Sequence, residues 1–149
     1  MGDLLFREHG RQVAALCWRG EIPEVLLITS LNTKRWILPK GWPMDGMTLA
    51  QSAAREAFEE AGVEGVIGPA PIGNYPYLKE RKDGGAMACS VDVFAMEVTG
   101  QAADWLEKGA RELIWLPLDQ AAAKVTEPGL RQILQDFAAS RNLRARRAG

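Results

Sequence analysis

The chain has 149 residues, 47% of them apolar and 25% charged, proportions that are typical of one globular domain of ordinary size. Its formal net charge of −1 excludes a strong overall attraction to nucleic acid or to an anionic membrane, so any anion site has to be a local patch. One histidine and two cysteines are too few for a zinc site and argue against a histidine-dependent catalytic triad.

The first part of the chain predicts a hairpin followed by a loop. The apolar segments 12–19 and 24–30 are typical of strands, and Gly20 and Pro23 between them favour a turn. The segment "RWILP" is a further extended piece, because Pro39 disfavours helix for the residue before it. The stretch "LPKGWPMDGM" contains two glycines and two prolines and is predicted to be a loop.

Residues 48–61 are the strongest helix prediction in the chain. Thr48 is a suitable N-cap, and Gly62 is a suitable left-handed residue to end the helix. The segment 63–78 is predicted to be strand with interruptions, and "KERKDGG" is predicted to be a charged turn. Two more apolar strands, "AMACSVDVFAMEV" and "ELIWLPL", should follow.

The end of the chain predicts helices. A short helix is expected over residues 119–124, and Pro128 is expected to begin a last helix that ends near Arg141. Residues 142–149 are interpreted as a frayed basic tail of a single domain, 1–149, whose core spans about 11–141. The order of elements indicates the α+β class, or a mixed sheet with helices on both faces.

The cysteines and the apolar runs bear on the cellular setting. Cys17 and Cys89 each lie in an apolar, strand-like segment, which favours buried free thiols in a reducing cytoplasm over a disulfide. No apolar run approaches the length of a membrane span, so no membrane partner is expected.

The central helix carries an unusual group of charges. Glu56 and Glu60 are four residues apart and repel one another, while Arg55 can pair with Glu59. A solvated surface helix is one interpretation. The other is a hard divalent cation, because Mg²⁺ binds a few carboxylates together with water and substrate phosphates. With no cluster of thiols or imidazoles, Mg²⁺ or Mn²⁺ is favoured over Zn²⁺.

The stretch "GWPMDGMTLAQSAAREAFEEAGV" resembles the Nudix box of hydrolases that cleave nucleoside diphosphates linked to another moiety. Eight positions match that pattern: Gly41, Arg55, Glu56, Ala57, Glu59, Glu60, Gly62 and Val63. Looser similarity over about residues 11–137 is to the branch that acts on diphosphoinositol polyphosphates and diadenosine polyphosphates. The resemblance implies an α/β/α sandwich, with a mixed sheet between helices, and a hydrolase of pyrophosphate bonds that uses Mg²⁺ or Mn²⁺.

The resemblance also implies roles for the residues of the box. Glu56 and Glu60 are expected to bind the metal, with Gly41 or the backbone carbonyl of Lys40 completing the site. Glu59 is expected to be the general base or a further ligand, which leaves two alternatives open. Arg55 is expected to orient the glutamates, and a plain helix salt bridge is its alternative role.

Met47 departs from the box, which has Glu at this position. The loss of that carboxylate is expected to weaken or reshape the metal site, and Asp45 is a carboxylate that can partly replace it. Met47 therefore motivates a second interpretation of the whole chain, a Nudix-fold module that binds a nucleotide and does not hydrolyse it.

Cations and one hydroxyl near the predicted loops are candidates for holding substrate phosphates: Arg11, Ser30, Lys34, Arg35, Lys40, Arg81, Lys82 and Arg111. Each cation taken alone is more simply a solvated surface charge, and only their grouping favours a site. Trp36, Trp42, Tyr75 and Tyr77 are candidates for stacking on an adenine or, alternatively, for packing. The expected partner is a small phosphorylated molecule, bound by a monomer or a homodimer.

Overall fold

The computed structural model describes residues 9–81 and 83–148, and its strands form one sheet. In chain order the strands of this part are β1 (His9–Arg19), β2 (Glu24–Thr29), β3 (Trp36–Ile37), β4 (Lys40–Gly41), β5 (Val63–Ile67), β6 (Gly73–Glu80), β7 (Ala86–Gln101) and β8 (Leu113–Pro117). The helices are α1 (Leu49–Ala61), α2 (Leu118–Lys124) and α3 (Pro128–Ala148).

Helix α1 begins and ends where its local sequence predicts. The Thr48 hydroxyl accepts a hydrogen bond from the Gln51 N–H at 3.0 Å, and the Gln51 side chain accepts one from the Thr48 N–H at 2.8 Å. At the other end Gly62 has a φ of 71°, a left-handed conformation that glycine adopts without steric cost. Both ends of the helix prediction are therefore confirmed.

The sheet is mixed, and its centre is the parallel pair β1 and β7. The hairpin partner β2 pairs with β1 only at Trp18 and Arg19, next to the turn. The rest of this edge of β1, farther from the turn, has no partner in β2. There β4 pairs with β1 in an antiparallel register that joins Val13 to Gly41. This open edge explains why Lys40 and Gly41 form a short strand within a predicted loop.

Helix α1 packs on the sheet through very small side chains. Its buried apolar residues are Ala50, Ala53, Ala57 and Ala61. Because an alanine adds only one methyl group, the helix backbone lies close to β1 and β4. The helix thereby lies beside β1, from which it is far apart in sequence, and beside β4. The proximity of these three elements builds the site described below.

The structure confirms the α+β class and moves several element boundaries, with the largest shift at the end of the last helix. Helix α3 does not end near Arg141 but continues to Ala148, so residues 142–148 are helical and not a frayed tail. This segment is rich in Leu, Ala and Arg, which are strong helix formers, and their helix propensity outweighs the high positive charge of the segment. Cys17 and Cys89 are free and buried, as predicted.

No helix within residues 9–81 and 83–148 combines the length and the apolar character needed to cross a bilayer.

Candidate functional site

A cavity of about 710 Å³ opens beside α1 and β4. The structure brings many of the predicted site residues to its walls: Ser30, Arg35, Lys40, Gly41, Glu56, Glu60, Arg81 and Arg111. They come from the end of β2 and the loop after it, from β4, from the outward face of α1 and from the segments beside β6 and β8. The cavity therefore collects both carboxylates and cations.

Glu56 lies directly against the backbone of β4. A Cβ atom added to Gly41 would be 2.2 Å from the carboxyl carbon of Glu56, a distance at which the two atoms overlap. The absence of a side chain at Gly41 therefore lets the Glu56 carboxylate lie against β4, and any larger residue would force this carboxylate to move. The φ of Gly41 is not left-handed. The same approach places a carboxylate beside the peptide groups of Lys40 and Gly41.

Glu60 is held by the backbone and by a buried arginine. Its Oε1 accepts a hydrogen bond from the Lys40 N–H at 3.0 Å, and its Oε2 lies 3.3 Å from the Arg111 guanidinium. Arg111 also donates to the Thr29 carbonyl at 3.0 Å and pairs with Glu107 at 3.2 Å. The Arg111 side chain, predicted to bind substrate, is therefore occupied by protein groups.

Burial shapes the charge of these carboxylates. Burial raises the pKa of Glu56 to about 7, and the negative charges of Glu59 and Glu107 add to the effect. Burial also raises the pKa of Glu60 to about 8, because it outweighs the attraction of Arg111 and the hydrogen bond from Lys40. Above these pKa values the folded chain holds two neighbouring carboxylates whose repulsion a cation would relieve.

The donor set fits a hard divalent cation that is completed by substrate. Within the described residues, no three side chains of His, Cys, Asp or Glu form a group that could hold a metal ion. Mg²⁺ does not require such a cage, since it is commonly held by one or two carboxylates together with water and phosphate oxygens. The Glu56 and Glu60 carboxylates beside β4 match that requirement.

Lys40 places a buried ammonium group in the same cavity. Its Nζ donates to Gln12 Oε1 at 3.1 Å and lies 3.8 Å from the centre of the Tyr77 ring. Burial lowers the pKa of Lys40 to about 8, so most molecules still carry the positive charge at pH 7. Lys40 thus contributes its backbone N–H to Glu60 and its side-chain charge to the cavity.

Arg35 is fixed by contacts on three sides. The Ser30 hydroxyl accepts its backbone N–H at 2.9 Å, which shapes the loop after β2. The guanidinium donates to the Tyr77 hydroxyl at 3.0 Å and lies 3.5 Å from the Glu127 carboxylate. Ser30 therefore has a local structural role, and Arg35 presents a largely paired charge to the cavity.

Other predicted site residues lie outside the cavity walls. Glu59 and Arg55 form an i,i+4 pair at 3.4 Å, with Arg55 half exposed, so the orienting and general-base roles stay predictions. Lys34 is exposed and has a φ of 54°. Arg11 pairs with Asp92 at 3.0 Å. Lys82 lies outside the described residues.

The four aromatic candidates for stacking on an adenine differ in how exposed they are. Tyr75 is fully buried, and Tyr77 is nearly so, with its ring facing the Lys40 ammonium. Trp36 is partly buried against the core, and Lys124 lies over its ring. Trp42 is 41% exposed and lines the cavity, so it is the candidate among these four whose position suits stacking.

Sequence reasoning missed Gln12, Glu107 and Glu127. A signal existed for Gln12, because it begins an apolar strand and a strand buried on both faces also buries its polar residues. Glu107 and Glu127 lie in connecting segments and carry no local signal. Glu107 pairs with Arg111, which is only four residues further along the chain, whereas Glu127 pairs with the distant Arg35.

Met47 lies immediately before the N-cap of α1 and is 43% exposed. Introducing Glu there is expected to lower the metal concentration for half-maximal activity by at most about tenfold, since a nearby charge in a solvated position gains on the order of 1 kcal/mol. The measurement is a metal titration of both proteins. Ile22→Glu, an equal charge change in the exposed β1–β2 turn, is the control. A lower melting temperature with unchanged half-saturation would instead make Met47 a packing residue.

Comparisons with known proteins agree with this geometry. Residues 8–137 match the model of the NUDIX domain. Nudix hydrolase 12, mitochondrial, of Arabidopsis thaliana is 32% identical over 117 residues, which cover 76% of this chain and 58% of that protein. Diphosphoinositol polyphosphate phosphohydrolase 3-beta of Bos taurus is 33% identical over 115 residues, 74% of this chain and 66% of its own length. The chain thus spans less than two thirds of either relative.

Solved structures show the same fold at lower identity. A binary complex of the Caenorhabditis elegans Ap4A hydrolase superposes with a TM-score of 0.63 at 21% identity, covering 87% of this chain and 95% of that one. A NUDIX hydrolase from Nitrosomonas europaea superposes with a TM-score of 0.64 at 22% identity, covering 88% and 89%. The predicted sandwich fold is therefore confirmed.

Proposed function

Because this chain belongs to the Nudix family, whose members generally use divalent metal ions, we propose that it is a Mg²⁺-dependent hydrolase of a pyrophosphate bond. The proposed substrates are dinucleoside polyphosphates or diphosphoinositol polyphosphates, and Mn²⁺ is an alternative metal. The observation that carries the proposal is the Glu56 carboxylate packed against Gly41, next to Glu60 and the Lys40 ammonium in one cavity.

The residues of the cavity would have separate roles in the proposed reaction. Glu56 and Glu60, with the carbonyl of Lys40 or Gly41, would hold the cation, which supplies phosphate charge neutralisation and an activated water when bound. Arg111 and the Lys40 N–H keep the Glu60 carboxylate in place. Lys40 offers its positive charge to a phosphate oxygen. Glu59 remains a general base or a further ligand.

A nucleotide-binding module without hydrolysis is the second candidate. Two observations favour it: Met47 occupies the place of a box carboxylate, and both oxygens of Glu60 already have protein partners. Glu60 would have to exchange one of these partners for a metal. The hydrolase is preferred because the Glu56 carboxylate and the rest of the box remain in place.

A substrate panel tests the two candidates. The protein is incubated with Ap4A, Ap6A, ADP-ribose, NADH and inositol pyrophosphates in the presence of Mg²⁺ or Mn²⁺, and the products are separated by chromatography. Metal-dependent cleavage of a pyrophosphate bond, abolished by a chelator, is the result expected. Tight binding of a panel member without cleavage under either metal would establish the binding module instead.

Two further expectations accompany this proposal. The cytoplasmic location stays a prediction, and several of the related plant proteins have "mitochondrial" in their names. The choice between monomer and homodimer also stays a prediction.

A further inference from the structure

The Lys40 ammonium is buried without a carboxylate partner among the described residues. Lys40 is 7% exposed, and its contacts are the neutral amide of Gln12 and the face of the Tyr77 ring. A buried positive charge is normally paired, because removing it from water is costly. An anion that enters the cavity would therefore find a buried positive charge with which to pair.

The arginines in the same cavity provide a contrast. Arg111 lies 3.3 Å from Glu60, and Arg35 lies 3.5 Å from Glu127, so both guanidinium groups have carboxylate partners. Lys79 also lines the cavity and repels the Lys40 ammonium, whereas Glu60 attracts the ammonium when ionised but forms no ion pair with it. Two neighbouring ammonium groups that repel each other are stabilised together by a shared anion.

Gln12 is a neutral partner, so it leaves the positive charge of the Lys40 ammonium in place. It lies on β1, is 1% exposed, and reaches Lys40 because β4 pairs with β1 beside it. A glutamate of the same size would form a buried ion pair and cancel the lysine charge. The amide instead accepts one N–H of the ammonium and orients it, and the Tyr77 ring face stabilises the cation without neutralising it.

We propose that Gln12 is a positioning residue that holds the Lys40 ammonium as an uncancelled charge for a phosphate group of a polyphosphate ligand. The inference rests on the proposed function for the identity of the anion. It goes further in assigning substrate affinity to a neutral residue that contacts the lysine and lies outside the motif.

Gln12→Glu tests this inference, because it keeps the shape of the side chain and cancels the charge of Lys40. The probe is methylenediphosphonate with Mg²⁺, whose P–C–P bridge cannot be hydrolysed, so binding is measured without turnover. We expect its Kd to rise about tenfold, a loss of about 1.4 kcal/mol. With a cleaved substrate, KM should rise by a similar factor while kcat changes little, and the melting temperature should not fall.

Two further variants complete the experiment. Lys40→Met removes the charge directly and should raise the Kd at least as much, which keeps the test decisive if Gln12→Glu does not fold. Lys124→Met removes an exposed lysine that also lies over an aromatic ring, Trp36, and should leave the Kd unchanged.

The inference is overturned if the Kd is the same in wild type, Gln12→Glu and Lys40→Met, or if the wild-type protein does not bind the diphosphonate. A fall in melting temperature and kcat with an unchanged Kd would make Gln12 a purely structural residue. A protein that shows the expected binding pattern but cleaves no member of the panel retains this inference and loses the proposed hydrolysis. A protein that cleaves a panel member but lacks the expected binding pattern supports the proposed hydrolysis and contradicts this inference.

Discussion

Glu56→Gln is expected to lower kcat by roughly two to four orders of magnitude, the range that loss of a charged catalytic group produces. The substitution keeps the size of the side chain beside Gly41 and removes its negative charge. A cation held by carboxylates then loses one of the two that face β4. Steady-state rates at saturating metal measure the effect, and the equal charge change at the exposed Glu64 is the control.

The same variant is expected to be at least as stable as wild type in neutral and alkaline solution without metal. The folded-state pKa of Glu56 is about 7, against a usual value of 4.5. The folded chain therefore holds an extra proton between these values, and its stability falls as the pH rises from 4.5 through 7. Gln carries no such penalty. The difference in melting temperature should thus vanish below pH 4.5, grow between pH 4.5 and 7, and stay level above pH 7.

Thermal denaturation in a chelating buffer at several pH values checks this result. Added Mg²⁺ should stabilise wild type more than the variant at pH 8, because the cation offsets the repulsion between Glu56 and Glu60. A lower melting temperature of the variant at every pH, with no difference in the response to metal, would make Glu56 a structural residue.

Arg111→Met is expected to reduce the free energy of unfolding by about 3–5 kcal/mol, the usual cost of leaving one member of a buried ion pair without its partner. The side chains of Arg111 and Glu60 are 9% and 7% exposed, so water cannot replace the lost contact. The Thr29 carbonyl and Glu107 lose their donor in the same variant. Denaturant unfolding at pH 9, where Glu60 of the wild type is ionised, measures the loss.

A double-mutant cycle separates this buried pair from ordinary surface pairing. Adding Glu60→Gln to Arg111→Met removes the stranded charge and should recover much of the stability. Arg19→Met breaks an exposed pair with Glu24, whose side chains are 48% and 39% exposed, and a cation–π contact with the Trp115 ring. It should cost no more than about 2 kcal/mol in total. Equal losses in Arg111→Met and Arg19→Met would show that the Arg111 contacts are not buried in solution.

The sequence predicts best those features whose signals are local. The capping side chain of Thr48 and the left-handed backbone of Gly62 determine where α1 begins and ends. The four-residue spacing of Glu56 and Glu60 places both on one face of that helix. The motif then identifies the family. None of these steps depends on knowing which strand the helix packs against.

The features that escape prediction depend on contacts between distant segments. Gln12 meets Lys40 across 28 positions, and Glu60 meets Arg111 across 51. The first contact requires the register of a two-residue strand within a loop rich in glycine and proline, where no periodic pattern exists to be read. The second depends on how the segment before β8 returns to the end of α1.

The hydrogen bond from the Lys40 amide to Glu60 makes this backbone group a natural spectroscopic reporter. The amide is buried and faces a carboxylate that itself contacts Arg111, so its proton resonance should lie downfield and should shift when Glu60 changes its partners. In ¹⁵N-correlated spectra, this one peak would follow the arrival of a cation in the absence of any substrate. Its exchange with deuterated solvent would record, on a longer timescale, how often β4 separates from the helix.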